Sequence, residues 1–243
     1  MRVSKGKVVG VILGAGQGSR MRAPENKVFL PIGGIPVLAR ALRAFERAAA
    51  IDEVVLVGAP DELQRCRCYI VEAYNFRKVR HIVAGGPTRH DSEYQALQCL
   101  REDIERGNIG IVLIHDGARP FVDPDMLTKL VATASTHGSA VIGLPLAPSE
   151  VVVMVDAEGR IDHQLTLEST WRVQTPQAFA AKPLLRAYDL AAAEGFRGTD
   201  TASALERAGE TIYLIPGSAR NIKITMPSDL LHAERLVSES VDF

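Results

Sequence analysis

Residues 14–21 read Gly-Ala-Gly-Gln-Gly-Ser-Arg-Met and follow directly on an apolar run, Val8 to Leu13. Glycines in such a place let backbone N–H groups close on an anion and form a concavity suited to phosphate. Arg20 lies within that loop and Lys27 follows shortly after it. Cations of this kind are usually solvated surface charge. Beside a glycine loop at the carboxyl end of a strand they point instead to a triphosphate. Pro24 and the FLPIGG that follows Lys27 suggest a segment pinned back on the core, which fixes the lysine's direction. Two familiar nucleotide folds are argued against. The dinucleotide fingerprint needs glycine where Ser19 stands and an acid at the end of the second strand, where Gly58 stands. The P-loop needs a Gly-Lys-Ser/Thr close, which is absent.

These residues must be carried by elements, and the hydrophobic pattern supplies them. Val8 to Leu13, Glu53 to Val57, Val79 to Val83, Ile109 to His115 and Ala140 to Leu144 read as buried strands. Pro36 to Ala50, Asp61 to Tyr74, Thr88 to Arg106 and Asp123 to His137 read as helices between them. The last has Asp123 as N-cap, Pro124 at the first helical position and Gly138 past its end. This alternation predicts an α/β, Rossmann-like, mostly parallel sheet flanked by helices. Ligands on such sheets sit at the carboxyl ends of the strands, where the glycine loop and Asp116 fall. Asp116 equally reads as a turn or capping aspartate, and His115 as a satisfied histidine at a strand end. The other histidines singled out, His90, His137, His163 and His232, are too scattered for metal-ligand spacing.

The pattern breaks after Leu144. EVVVMV, DAEG and RIDHQLTL read as two strands and a turn, a protruding β-hairpin arm over residues 145–170. The chain then returns through WRVQTPQAF, two short helices, a strand near Ile212 to Ile215, NIKIT and a helix from Pro227. One domain over 1–243, with the arm inside it, is the expected organisation. A length of 243 residues, 47% hydrophobic and 23% charged, suits one large globular domain. A net charge of -1 argues against a nucleic-acid surface. Cys66, Cys68 and Cys99 suggest no disulfide framework, and the run VVGVIL is too short for a membrane span or signal peptide. A cytoplasmic protein with no membrane partner is expected.

LGAGQGSRM at 13–21 with NKVFLPIGGIPVL at 26–38 resembles the opening signature of sugar- and polyol-phosphate nucleotidylyltransferases. IHDGARPFV at 114–122, TPQAF at 175–179, TDTASALE at 199–206 and NIKIT at 221–225 resemble the methylerythritol-phosphate cytidylyltransferases. The blocks occur in order over nearly the whole chain. The resemblance implies transfer of CMP from CTP to 2-C-methyl-D-erythritol 4-phosphate in non-mevalonate isoprenoid biosynthesis. It implies Arg20, Lys27 and Lys223 as the catalytic cations. It assigns the nucleotide to Gly14, Ala15, Gly16, Gly18, Ser19, the Gly85-Gly86 turn, Ser92 and Asp116. The acceptor falls to Arg119, Thr175, Thr199 and Lys223. Mg²⁺ is implied as cofactor with Asp116 near it, since Mg²⁺ binds one or two carboxylates plus nucleotide phosphates. A homodimer that exchanges the 145–170 arm is implied as well.

The reaction needs no protein nucleophile. A phosphate monoester is mostly dianionic at pH 7 and can attack the α-phosphorus directly, so the protein must assemble and neutralise anions. Two departures bear on specificity. Pro87 stands where the family commonly has aspartate, which removes one backbone N–H near the base. Leu167 stands where the family normally has an arginine that grips the acceptor phosphate, which leaves Arg172 or His163 to help. The alternative acceptors are therefore ribitol 5-phosphate, another polyol phosphate or a phosphonate. A non-catalytic nucleotide-sugar-binding module is a third reading, against which the pair Arg20 and Lys27 argues.

Overall fold

The computed structural model describes residues 6–16, 25–146, 151–165 and 169–239. Along the chain, β1 (Lys7–Leu13) leads to a 3-10 turn (Lys27–Phe29), the short β2 (Pro31–Ile32) and β3 (Ile35–Pro36), and helix α1 (Val37–Arg47). β4 (Glu53–Gly58) precedes α2 (Leu63–Arg65), which runs on as a π-helix over Cys66–Glu72. β5 (Val79–Ala84), α3 (Arg89–Arg106), β6 (Ile109–Asp116), α4 (Pro124–His137) and β7 (Ser139–Pro145) continue the alternation. Then come β8 (Val153–Val155), β9 (Ile161–Gln164), β10 (Trp171–Ala180), α5 (Ala181–Ala193), α6 (Thr201–Arg207), β11 (Leu214–Pro216) and α7 (Pro227–Ser238).

Seven strands form one sheet in the order β11-β7-β10-β6-β1-β4-β5. All its pairings are parallel except those of β10, which runs antiparallel to both β6 and β7. Helices cover both faces, and β1, β4 and β6 are accordingly apolar along most of their length. Val9, Val11 and Ile12 of β1 are fully buried, and β6 is buried at every position. On one face Leu38, Leu42 and Phe45 of α1 pack with Leu127 and Leu130 of α4 and Ile70 of the π-helix. On the other, Leu97, Leu100 and Ile104 of α3 pack with Leu184, Leu185 and Tyr188 of α5.

The parallel alternation expected from the sequence is present, and α4 has its Asp123 cap, Pro124 and a left-handed Gly138. One unassigned stretch gains an element and one reading changes. The stretch returning through WRVQTPQAF is β10, a central strand; Pro176 disguised it, and a register shift between Gln174 and Gln177 accommodates that proline. The helix expected over 61–74 is a short α-turn followed by a π-helix, whose wider turn leaves only Cys66 and Ile70 buried. Val153–Val155 pairs antiparallel with Ile161–Gln164 in a two-stranded sheet of its own.

Candidate active site

The carboxyl ends of four strands are brought level by hydrogen bonds that extend the sheet into the loops. Gly14 N–H donates to the Val57 carbonyl (2.7 Å), Gly85 N–H to Gly58 (2.8 Å), and Gly117 N–H to Leu13 (2.8 Å). The loops after β1, β4, β5 and β6 therefore surround one cleft of about 760 Å³. Its wall includes Ala15, Gly16, Lys27, Pro60, Asp61, Gly85 to Arg89, Ser92, Asp116 and Lys223. That size suits a nucleotide-sized ligand, for which pockets run to several hundred Å³.

The Gly85-Gly86 turn leaves no room for a side chain. A Cβ at Gly85 would stand 2.4 Å from the Ala15 Cβ, and one at Gly86 would stand 2.5 Å from the Asp91 Cβ. Ser92 secures the turn: its hydroxyl accepts from Gly86 N–H (3.1 Å) and donates to the Thr88 carbonyl (2.9 Å). Thr88 and Asp91 form a reciprocal capping box that starts α3, so Arg89 is set at the mouth of the cleft.

Lys27 is held through its neighbours. Asn26 accepts from Val28 N–H (3.3 Å) and donates to Glu62 (2.7 Å), while Val28 and Phe29 are buried. Across the loop, Arg65 pairs with Glu25 (2.5 Å) and lies 3.9 Å over the Phe29 ring. The segment bearing Lys27 is thus fastened to the loop after β4, as the apolar residues after Lys27 suggested, while Pro24 lies outside the described residues.

Asp116 is the electrostatic centre. Lys223 Nζ lies 2.7 Å from its Oδ2, Arg89 Nε 3.3 Å from its Oδ1, and Arg119 Nε 3.7 Å from its Oδ2. Burial works to raise the carboxyl, but Arg89, Lys223 and Arg119 together hold it well below the ordinary carboxylate range. Lys223 is aimed by its surroundings: Ile224 is fully buried, its N–H bonds the Ala118 carbonyl (2.8 Å), and the buried Asn221 donates to the Thr175 carbonyl (2.8 Å). Arg119 donates to the Asn221 carbonyl (2.7 Å).

Behind Asp116, its N–H donates to the Thr175 hydroxyl (3.0 Å), which lies 3.2 Å from His115 Nδ1. His115 Nε2 stands 3.1 Å from the Arg119 carbonyl, which can only accept, so Nε2 carries the proton. Burial pushes this imidazole down to about 4. His115 is a neutral structural brace, as the sequence suggested. Chemically, the cleft offers clustered cations and a glycine-lined wall to a polyanion.

The family model described as 2-C-methyl-D-erythritol 4-phosphate cytidylyltransferase matches residues 8–239. The chain belongs to the 2-C-methyl-D-erythritol 4-phosphate cytidylyltransferase family. A family member from Geobacter metallireducens is 40% identical over 234 residues, covering 96% of this chain and 99% of that one. Another from Pelotomaculum thermopropionicum is 38% identical over 231 residues, covering 95% and 94%. The crystal structure of 4-diphosphocytidyl-2C-methyl-D-erythritol synthase from Anaerococcus prevotii superposes with a TM-score of 0.83 at 27% identity, covering 96% of each chain. The 2-C-methyl-D-erythritol 4-phosphate cytidylyltransferase from Thermus thermophilus gives 0.72 at 29%, covering 94% and 98%.

Among the residues that the cytidylyltransferase resemblance singled out, the structure brings Ala15, Gly16, Lys27, Gly86, Ser92, Asp116 and Lys223 to the cleft wall. Gly14 lies just beneath it, bonded to β4. Arg20, Gly18, Ser19 and Leu167 lie outside the described residues. Arg119 stands beside Asp116, Thr175 is buried beneath it, and Thr199 is exposed in the loop before α6. Asp116, which the resemblance set near the metal, has both of its oxygens facing cations of the chain. Sequence reasoning missed Arg89 and Asn221. Arg89 had a signal, a cation three residues after Gly86 at a strand end; Asn221 stood in the NIKIT block, but only its burial shows what it holds.

Proposed function

We propose that this chain transfers CMP from CTP to 2-C-methyl-D-erythritol 4-phosphate, releasing pyrophosphate and forming 4-diphosphocytidyl-2-C-methyl-D-erythritol. It acts in the cytoplasm as one domain over 1–243, in the non-mevalonate route to isoprenoid precursors. The observation that carries this reading is the cluster Asp116, Lys223, Arg89 and Arg119, set beside a glycine-lined cleft in a chain of this family. An oxygen of the acceptor phosphate attacks the α-phosphorus of CTP. The bond from that phosphorus to the bridging α–β oxygen breaks, and pyrophosphate leaves with its electron pair. Lys27 and Arg20 hold the triphosphate, while Lys223 and Arg119 receive the acceptor phosphate. Gly14, Ala15, Gly16, Gly18, Ser19, Gly85, Gly86 and Ser92 shape the nucleotide subsite, and Thr175 fixes Asp116 from below.

Mg²⁺ fits this site as a companion of the nucleotide's phosphates rather than as an ion on Asp116, whose oxygens are engaged by Lys223 and Arg89. When bound, it neutralises phosphate charge. A second copy of the chain is the occupant we assign to the two-stranded sheet of β8 and β9, where Val151, Met154, Val155 and Ile161 are exposed. Among the described residues no helix is long and apolar enough to cross a membrane. Pyrophosphate release across the four nucleoside triphosphates and a panel of acceptors tests the reading; activity on CTP with methylerythritol phosphate is expected.

Leu167 favours a second reading in one respect, the acceptor. Without an arginine there, one charge-assisted hydrogen bond to phosphate, worth about 1.5–3 kcal/mol, must come from elsewhere. Arg172, exposed on β10, and His163 on β9 are the nearest candidates in sequence. A parent active on ribitol 5-phosphate and inactive on methylerythritol phosphate would establish this second reading.

A further inference from the structure

A polar cluster lies behind the cleft wall, beside the apolar layer that α3 and α5 form. Glu93, on α3, has 0% of its surface exposed, although the residues α3 buries further along, Ala96, Leu97, Leu100 and Ile104, are all apolar. Its Oε1 accepts from the Thr201 hydroxyl (2.7 Å) and stands 2.7 Å from Arg89 Nη1. Its other oxygen accepts from the Tyr188 hydroxyl. Thr201 Oγ1 is itself 3.4 Å from Arg89 Nη1. The guanidinium that Glu93 grips from behind then meets Asp116 Oδ1 through Nε at 3.3 Å, and Asp116 Oδ2 meets Lys223 at 2.7 Å. One continuous chain of hydrogen bonds and ion pairs runs from α5 and α6 through Glu93 and Arg89 to Asp116 and Lys223.

A carboxylate in a dry core is costly unless it is paired, and a hydrophobic residue there is often as stable or more so. Stability alone therefore gives no reason for Glu93. Position does. An arginine at the mouth of a cleft has many rotamers, and a rear anchor selects the one whose Nε faces Asp116. We propose that Glu93 is a positioning residue: it holds Arg89 against Asp116 and so sets where Lys223 presents its ammonium to the phosphates. This rests on the phosphate-transfer reading of the cleft. Thr201 and Tyr188 complete the device by orienting Glu93 from two further helices.

The test is Glu93→Gln, which keeps the volume and removes the charge, with Glu93→Gln/Thr201→Asp as the rescue variant. Thr201 is within reach of Arg89, so an aspartate there restores a carboxylate behind the same guanidinium from α6. Kinetics are measured at a temperature where circular dichroism shows every variant fully folded. The expected result is a kcat lowered by ~10²-fold, the scale of a misplaced reacting group, with KM for CTP unchanged and kcat largely regained in the double variant. A structural ion pair without positioning would lower Tm and leave kcat per folded molecule at the parental value; that result overturns the proposal. Crystal structures of the variants give a readout independent of turnover. Arg89 should leave Asp116 in Glu93→Gln and return in the double variant; an unmoved Arg89 overturns it too. A parent inactive on CTP and methylerythritol phosphate would count against the proposed function, and the Arg89 readout would still decide this inference.

Discussion

Replacing Asp116 by asparagine removes a negative charge that faces three cations while keeping the side chain's shape. Arg119 and Arg89 are 12% and 25% exposed and have little room to escape, whereas Lys223, at 40%, can turn toward water. Breaking a buried pair typically costs 3–5 kcal/mol, so the lower end, about 3 kcal/mol, is the appropriate figure here. For a chain of this size that lowers Tm by roughly 6–12 °C. The pH dependence has a definite sign. The folded carboxyl is held below its unfolded value of about 3.9, so its contribution is full above that value and fades as pH falls below it. Thermal unfolding of parent and Asp116→Asn should show a constant gap from about pH 6 to 8, and a gap that narrows below about pH 4. A gap of equal size at pH 7 and at the lowest workable pH, or no gap, would refute the assignment of Asp116 as the ionised hub.

Lys27→Ala should lose about 10²-fold or more in turnover, a typical loss for one transition-state donor, while its far-ultraviolet circular dichroism stays parental. Gly85→Ala forces a methyl to 2.4 Å from Ala15, and overpacking of this kind costs about 1–3 kcal/mol. That variant should melt earlier and bind CTP more weakly by calorimetry; parental CTP affinity would contradict the placement of the nucleotide. Sedimentation velocity at micromolar concentration should give a dimer, and deletion of 151–165 should give a monomer. A monomeric parent would remove the role assigned to β8 and β9.

The parts of the fold that could be read from sequence were those with strong periodicity and explicit ends. The strands of branched aliphatics and the Asp123-Pro124…Gly138 helix came out within a few residues because local chemistry dictates them. β10 was hidden because a central strand holding Gln174, Thr175 and Pro176 contradicts local propensity; its neighbours on both sides and the bulge impose it. Lys27, Asp116 and Lys223 could be picked out because their blocks resemble a known family, and the structure brings all three to one cleft. Glu93 could not be. As an acid one turn after Arg89 it reads as a solvated surface pair, and only the packing of α5 and α6 over α3 reveals its burial.

The central claim is tested most directly by the product of the reaction. Purified protein given CTP, methylerythritol phosphate and Mg²⁺ should release pyrophosphate and form the diphosphocytidyl product in equal amounts, read together by a coupled assay and mass spectrometry. The same protein should be far less active with ATP, GTP or UTP. Folded protein that forms no such product from CTP, while another nucleotide or acceptor turns over, would contradict the account.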